Sequence, residues 1–214
     1  MGEQDIHNED TGVIVVDLQA DFTELKSGTL AVPGTDVKYV QDVETATRNL
    51  KQRGLSVYFT QDWHPADHVS FFTNNPGTEP LQVIDIDGRS QVMWPPHCVQ
   101  NTSGAEILIM AEGSVATVRK GMDAKFDSYS GFADDGGRKT DLDRVLKQDG
   151  IKNLVIYGLA TDYCVKATAV DAADAGYNVT VIDGLSKGVA PETTAHALEE
   201  MKAKGIIIKA NLGI

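Results

Sequence analysis

The sequence predicts an α/β fold of three layers: a doubly wound parallel sheet of six strands with helices on both faces. Two observations predict it. Short apolar runs rich in β-branched residues alternate with stretches whose apolar residues recur every three or four positions, and parallel strands need crossover connections of that kind. The first run is also apolar at nearly every position, as a strand covered on both faces is, instead of alternating like a half-exposed one.

In chain order, residues 11–17 read as a central strand ending in Asp17. Past a turn region with Gly28, Pro33 and Gly34, the residues Val37, Val40, Val43, Thr47 and Leu50 mark an amphipathic helix over 36–53, closed by Gly54. A second strand follows at 55–61. From 62 to 104 the periodicity dissolves into Pro65, Asn74-Asn75-Pro76-Gly77, Pro80, Asp87-Gly88 and Pro95-Pro96, and so long a connection is expected to be functional. A strand at 115–119, a polar loop to Gly137, a helix at 140–148 and a strand at 153–157 come next. A helix at 162–175, a strand at 179–182, a helix at 191–204 opened by Pro191 and a strand at 206–209 complete the alternation. Residues 1–10, with His7, read as a polar tail. Residues 11–214 read as one domain without repeat, linker or low-complexity tract.

Charge narrows the partners. Lys plus Arg number 19 against 31 Asp plus Glu, a net charge of −12, and such a surface repels phosphate backbones and anionic bilayers. Neither nucleic acid nor membrane is expected as a partner, and no run nears the ~20 apolar residues of a spanning helix. The first ten residues lack the basic, apolar and small-residue progression of a secretory signal. The expected compartment is the cytoplasm, where Cys98 and Cys164 would remain thiols.

Sheets of this kind bind ligands outside the carboxyl ends of their strands. Asp17, Asp62 and Lys120 end the first three strands and Cys164 lies just beyond the fourth. Each has a plain explanation by itself: a turn-forming aspartate, a solvated lysine, a small buried cysteine. Their shared edge favours chemistry. Cys164 falls in the first turn of a helix capped by Thr161 or Asp162, where free N–H groups and the helix dipole would lower its pKa. The amides of Ala160 and Cys164 are positioned to hold an oxyanion there. Asp17, at the mouth of the core, suits a general base, and Lys120 would favour both anions.

A second constellation sits in the long connection. Asp62 and His64, two apart on an extended strand end, point to the same side. With His68 and His97 they gather three of the chain's 5 histidines. Oxygen and nitrogen donors in this mixture suit a divalent transition metal, zinc first, with iron or manganese as alternatives. A polar loop whose histidines only form hydrogen bonds remains the other reading for His68 and His97. Cys98 reads as buried or incidental, and His196 as a structural or solvated helix residue.

The stretches Val16-Asp17-Leu18-Gln19-Ala20-Asp21-Phe22, Asp62-Trp63-His64, Trp94-Pro95-Pro96-His97-Cys98, Lys120-Gly121, Asp127-Ser128-Tyr129-Ser130-Gly131-Phe132 and Gly158-Leu159-Ala160-Thr161-Asp162-Tyr163-Cys164-Val165 occur in one order. Together they resemble the isochorismatase-like cysteine hydrolases and, among these, the nicotinamidase group. The resemblance runs from about residue 12 to the last strand. It implies Asp17, Lys120 and Cys164 as a catalytic triad, Asp62, His64 and His97 as metal ligands with His68 as a candidate fourth, and Phe22 and Trp94 flanking a pyridine ring. It also implies a cis peptide before Ala160. The family's usual asparagine before the Asp-Phe pair is Ala20 here.

The activity implied is hydrolysis of nicotinamide to nicotinate and ammonia through a cysteine thioester, with pyrazinamide also accepted. The partner implied is that small substrate, and homo-oligomerisation stays open. Two other readings stand beside it: a related cysteine hydrolase with another small substrate, and a metal or thiol sensor on the same scaffold.

Overall fold

The computed structural model describes residues 9–109 and 113–213. His7 and most of the polar tail lie outside the described residues. Asp10 does not behave as tail: its carbonyl accepts from the amides of Lys152 and Asn153 at 2.8 and 3.1 Å.

The central sheet holds six parallel strands in the order β5-β2-β1-β6-β7-β8. These are β1 (Thr11–Val16), β2 (Ser56–Asp62), β5 (Ala116–Lys120), β6 (Asn153–Gly158), β7 (Asn178–Ile182) and β8 (Ile207–Lys209). A separate antiparallel pair is made by β3 (Val83–Ile86) and β4 (Arg89–Val92). Helices α1 (Val37–Gln52), α2 (Leu142–Gln148), α3 (Lys166–Asp174) and α4 (Pro191–Ala203) supply the outer layers.

The all-apolar first strand has the burial it predicts. Val13 and Val15 join the cluster under α1, with Tyr39, Val40, Val43 and Leu50. Ile14 and Val16 join the opposite cluster, with Leu142, Leu146, Ala169, Ala172 and Met201 of α2, α3 and α4. All four β1 side chains are 0% exposed, and full burial of each contributes roughly 1.5–3 kcal/mol. The expected three-layer parallel fold is therefore the fold observed.

Differences from the expected elements are local. The 62–104 connection contains the β3–β4 hairpin, whose turn is Asp87-Gly88 with φ of 52° and 78°. Two positive φ values in an Asp-Gly pair suit a two-residue hairpin turn. The flanking strands are only four residues each and bury little, and the short alternation Ile84-Asp85-Ile86 before the turn is their one signal in the sequence. The helix expected from 162 starts instead as a π turn over Thr161–Val165 and becomes α-helical at Lys166. Such π segments are frequent at functional sites.

Register positions the reactive edge. Val16 lies opposite Gly158 on β6 and Asp62 opposite Lys120 on β5. Gly158 (φ 131°) is obligatory where the strands converge, because a Cβ there would lie 2.1 Å from the Val16 carbonyl oxygen.

Candidate active site

Strand β1 stops at Asp17, which turns the chain with φ 44° and is 0% exposed. Thr60 holds it from β2: the threonine hydroxyl donates to Asp17 Oδ1 at 2.6 Å and accepts from the Asp17 amide at 3.1 Å. Lys120, also buried, lies at the centre of the group. Its Nζ is 3.0 Å from Asp17 Oδ2, 2.5 Å from Asp62 Oδ1, 2.7 Å from the Ser128 carbonyl and 3.4 Å from Cys164 Sγ. Donor atoms of Asp17, Asp62 and Cys164 all lie within 4.8 Å of one another. The three groups expected to act together are thus brought together.

Their electrostatics follow from one ammonium in a dry place. Burial would disfavour the charge on Lys120, but Asp17 and Asp62 outweigh it and raise its pKa well above the usual range. Burial raises Asp17, and Lys120 only partly opposes the shift. Asp62 goes the other way, because Lys120 and His64 overcome its burial. For Cys164, burial together with Asp17 and Asp62 outweighs Lys120 and holds the thiol well above its usual pKa. This corrects the expectation of a lowered thiol: the turn's positive end is outmatched by desolvation and two neighbouring carboxylates. The resting sulfur is protonated and needs a base, and Asp17 stands beside it.

The nucleophile turn is fastened from outside itself. The peptide between Leu159 and Ala160 is cis, as the resemblance implies. Thr161 N donates to Lys187 O at 2.9 Å, while the amides of Tyr163 and Val165 both donate to Ala160 O at 3.1 and 3.0 Å. The amides of Ala160 and Cys164 are not among these donors. Neither Thr161 nor Asp162 caps this turn. Asp162 instead accepts from the amides of Val189 and Ala190 at 3.0 and 3.3 Å and from the Thr193 hydroxyl, and so ties the nucleophile turn to the segment that leads into α4.

The second constellation also converges. Single donor atoms of Asp62, His64 and His97, all buried, lie within 4.8 Å of one another. His64 Nδ1 donates to Gly121 O at 2.9 Å and His97 Nδ1 to Pro95 O at 2.7 Å, which leaves Nε2 of each ring as the donor atom for an ion; that of His64 lies 3.5 Å from Asp62 Oδ2. Gly121 (φ 65°) has no substitute here, since a Cβ would sit 2.3 Å from the His64 ring. Burial and repulsion from His64 hold His97 down to about 4, so its imidazole is neutral as a ligand must be. Asp62 overcomes burial and holds His64 above its ordinary pKa, so a cation there would displace a proton from that ring. One carboxylate and two imidazoles oriented through Nδ1 suit a divalent transition metal with open positions.

His68 stands apart from this donor group. Its ring centroid is 4.3 Å from that of His64, but Nδ1 pairs with Ser70 Oγ at 2.8 Å and Nε2 donates to Phe126 O at 3.1 Å. To bind an ion it would have to give up one of these partners. Burial, then repulsion from His64, holds it down to about 4. Between about pH 6.5 and 4 the unfolded chain therefore takes up a proton at this position that the folded chain refuses. His68→Gln should accordingly gain stability relative to the parent as pH falls through that window, by up to about 3 kcal/mol. Urea unfolding of the metal-free proteins at pH 7 and pH 4.5 checks the sign. Zinc affinity should stay within about threefold.

A pocket reached by both constellations is lined by Phe22, Trp94, Tyr129, Tyr163 and Val189 together with Asp62, Asp127, His97 and Cys164. Trp94 stands edge-on to Tyr163, centroids 5.1 Å apart, and its Nε1 donates to Tyr129 Oη at 3.0 Å. A larger trough runs along the free edge of β5 and is lined in part by Lys120, but neither Cys164 nor His97 lines it. The smaller pocket carries the chemistry. Sequence reasoning missed Thr60, Tyr129, Tyr163 and Asp162. Tyr129, Tyr163 and Asp162 lie inside the quoted motifs, whereas Thr60 signalled itself only as a polar residue in an apolar strand.

A cysteine hydrolase site of the isochorismatase class is what this fold and these groups define, and the Isochorismatase domain family matches residues 11–210. The chain belongs to that family. Within it, the chain is 44% identical over 201 residues to the nicotinamidase of Escherichia coli, covering 90% of this chain and 91% of that one. Among solved structures it is similar to an Acinetobacter baumanii nicotinamidase pyrazinamidease (TM-score 0.85, 35% identity, 94% of this chain and 96% of that one). It is also similar to the pyrazinamidase of Pyrococcus horikoshii in complex with zinc (TM-score 0.79, 38% identity, 94% and 98%).

Proposed function

We propose that this chain is a metal-dependent amidase that hydrolyses nicotinamide to nicotinate and ammonia. The observation that carries the reading is one aromatic-lined pocket that reaches Cys164 together with Asp62 and His97, with Lys120 joining Asp17, Asp62 and Cys164 behind it. The names of the relatives support the substrate.

Asp62, His64 and His97 would hold a divalent cation, zinc by preference, which when bound supplies a Lewis acid for the ring nitrogen. Phe22 and Trp94 flank the ring and orient the carboxamide toward sulfur, so that binding remote from the reacting bond fixes the geometry of attack. Asp17 takes the thiol proton as Cys164 Sγ bonds to the carbonyl carbon. The amides of Ala160 and Cys164 receive the oxyanion. As the carbonyl re-forms, the C–N bond breaks, and Asp17 returns its proton to the departing nitrogen as ammonia. A nicotinoyl thioester remains on Cys164. Asp17 then takes a proton from water, whose oxygen adds to the thioester carbon. Nicotinate leaves and Cys164 recovers its proton, in the two-step manner of covalent catalysis. Lys120 steadies Asp17 as the anion before it takes each proton and after it gives it up.

Pyrazinamide, with the same ring outline and carboxamide, is proposed as a second substrate. We read residues 11–214 as one catalytic domain. The unpaired Cys98 and Cys164 fit a reducing compartment, the cytoplasm.

Elemental analysis of the purified protein with an ammonia-release assay tests the reading. Nicotinamide should release one ammonia per nicotinate, and verified removal of the metal should raise KM far more than it lowers kcat. Turnover of isochorismate without action on nicotinamide would overturn the substrate assignment. Unchanged nicotinamide affinity in metal-free protein would leave the ion a structural role.

A further inference from the structure

Gln19 lies in the first quoted motif, yet neither the triad nor the metal donor set uses it. It is 0% exposed. Its side chain meets the peptide groups of Asp62 twice: Oε1 accepts from Asp62 N at 2.8 Å and Nε2 donates to Asp62 O at 2.8 Å. Nε2 also donates to Ala105 O at 3.0 Å. The reason lies in the sheet. β1 pairs with β2 only up to Val15↔Phe59, because Asp17 turns the chain away, while β2 runs on to Asp62. The side of Asp62 that faces away from β5 has therefore lost its neighbouring strand. Gln19 replaces the missing strand with a side-chain amide that reproduces its donor and its acceptor.

The opposite side of Asp62 pairs with Lys120 on β5. Gln19 is itself anchored: its own amide donates to Asp17 O at 2.8 Å, and the flanking Leu18 O and Ala20 N pair with Leu108 N and Glu106 O at 2.9 and 3.0 Å. A short rigid path thus joins the base Asp17 to the carboxylate that heads the donor set.

We infer that Gln19 is a positioning residue for the metal centre, an amide clamp that fixes the backbone of Asp62 and so aims its carboxylate at the ion. The inference rests on the metal reading above. Partners of metal ligands commonly carry about 10–100-fold in affinity. Gln19→Leu should weaken zinc binding to the full-length protein by that factor, read by competition with a chromophoric chelator, and kcat/KM should fall with it.

Gln61→Leu is the control for buried-amide loss alone. Gln61 shares the Ala105 O acceptor at 2.8 Å and receives Arg119 Nε, but it leaves the Asp62 peptide paired. Its zinc affinity should stay within about threefold of the parent even if its Tm falls. If Gln19→Leu does not fold, Gln19→Glu, which keeps the acceptor and the volume but loses the donor, decides by the same competition. Parental zinc affinity in a folded Gln19 variant, or an equal loss in Gln61→Leu, overturns the clamp alone. A parent protein that takes up no zinc overturns the metal reading and the clamp together.

Discussion

Cys164→Ala should abolish ammonia release from nicotinamide, lowering kcat by about 10⁴-fold or more, the scale on which loss of a catalytic nucleophile is felt. The same change should leave capture of the ring nearly intact. The proposed ring contacts are Phe22, Trp94 and the donor set, and none of these depends on the sulfur. Nicotinamide affinity by calorimetry should therefore stay within a few fold, and stability should change by no more than about 1–2 kcal/mol, as for most single substitutions. Single-turnover mass spectrometry of the parent should show a nicotinoyl adduct on Cys164 that the variant lacks. Appreciable turnover by Cys164→Ala would refute the covalent route.

Replacing Lys120 by methionine should have the largest effect on folding. The ammonium touches both Asp17 and Asp62, and all three groups are buried. Removing it leaves two carboxylates facing each other without a cation. Breaking a buried charge pair costs about 3–5 kcal/mol. For a chain of this length that corresponds to a fall in Tm of roughly 6–20 °C. The effect is best read on metal-free protein, where no other cation offsets the charge.

Activity should suffer by a distinct route. Without Lys120, burial and Asp62 both push Asp17 further up, so the base holds its proton at higher pH. The acid limb of the pH dependence of kcat/KM should move toward alkaline pH. An unchanged limb and an unchanged Tm would show that the ammonium is not what sets these charges.

The architecture and the reacting groups were legible because both are written in local patterns. The all-apolar run at 11–16 announced a central strand, and four chemically distinct residues at strand ends announced the edge at which the site forms. What escaped depended on contacts between distant segments. The β3–β4 hairpin offered only Asp87-Gly88 and the brief alternation Ile84-Asp85-Ile86, too short beside so many Pro and Gly signals to stand out as a strand. The thiol's electrostatics reversed because burial dominates its pKa, with Asp17 and Asp62 adding to the rise and Lys120 only partly opposing it, and the depth of burial is not written in the motif. Asp162 looked like a cap for its own turn and instead holds the lead-in to α4, a pairing across 27 and 28 positions that no helix rule anticipates. His68 shared the histidine-rich stretch, but Ser70 and Phe126 claim both of its nitrogens.

The reacting groups come from separate crossings of the sheet: Asp17 meets Thr60 across 43 positions, Lys120 meets Asp62 across 58 and Cys164 across 44. Distant pairings of this kind form late, after the entropy of closing each long loop has been overcome. No fragment of the chain can therefore carry a partly working centre. A nascent polypeptide stays chemically silent until the β6 crossing and the turn after it have left the ribosome and joined the sheet, so reactivity and native topology arrive in the same cooperative event.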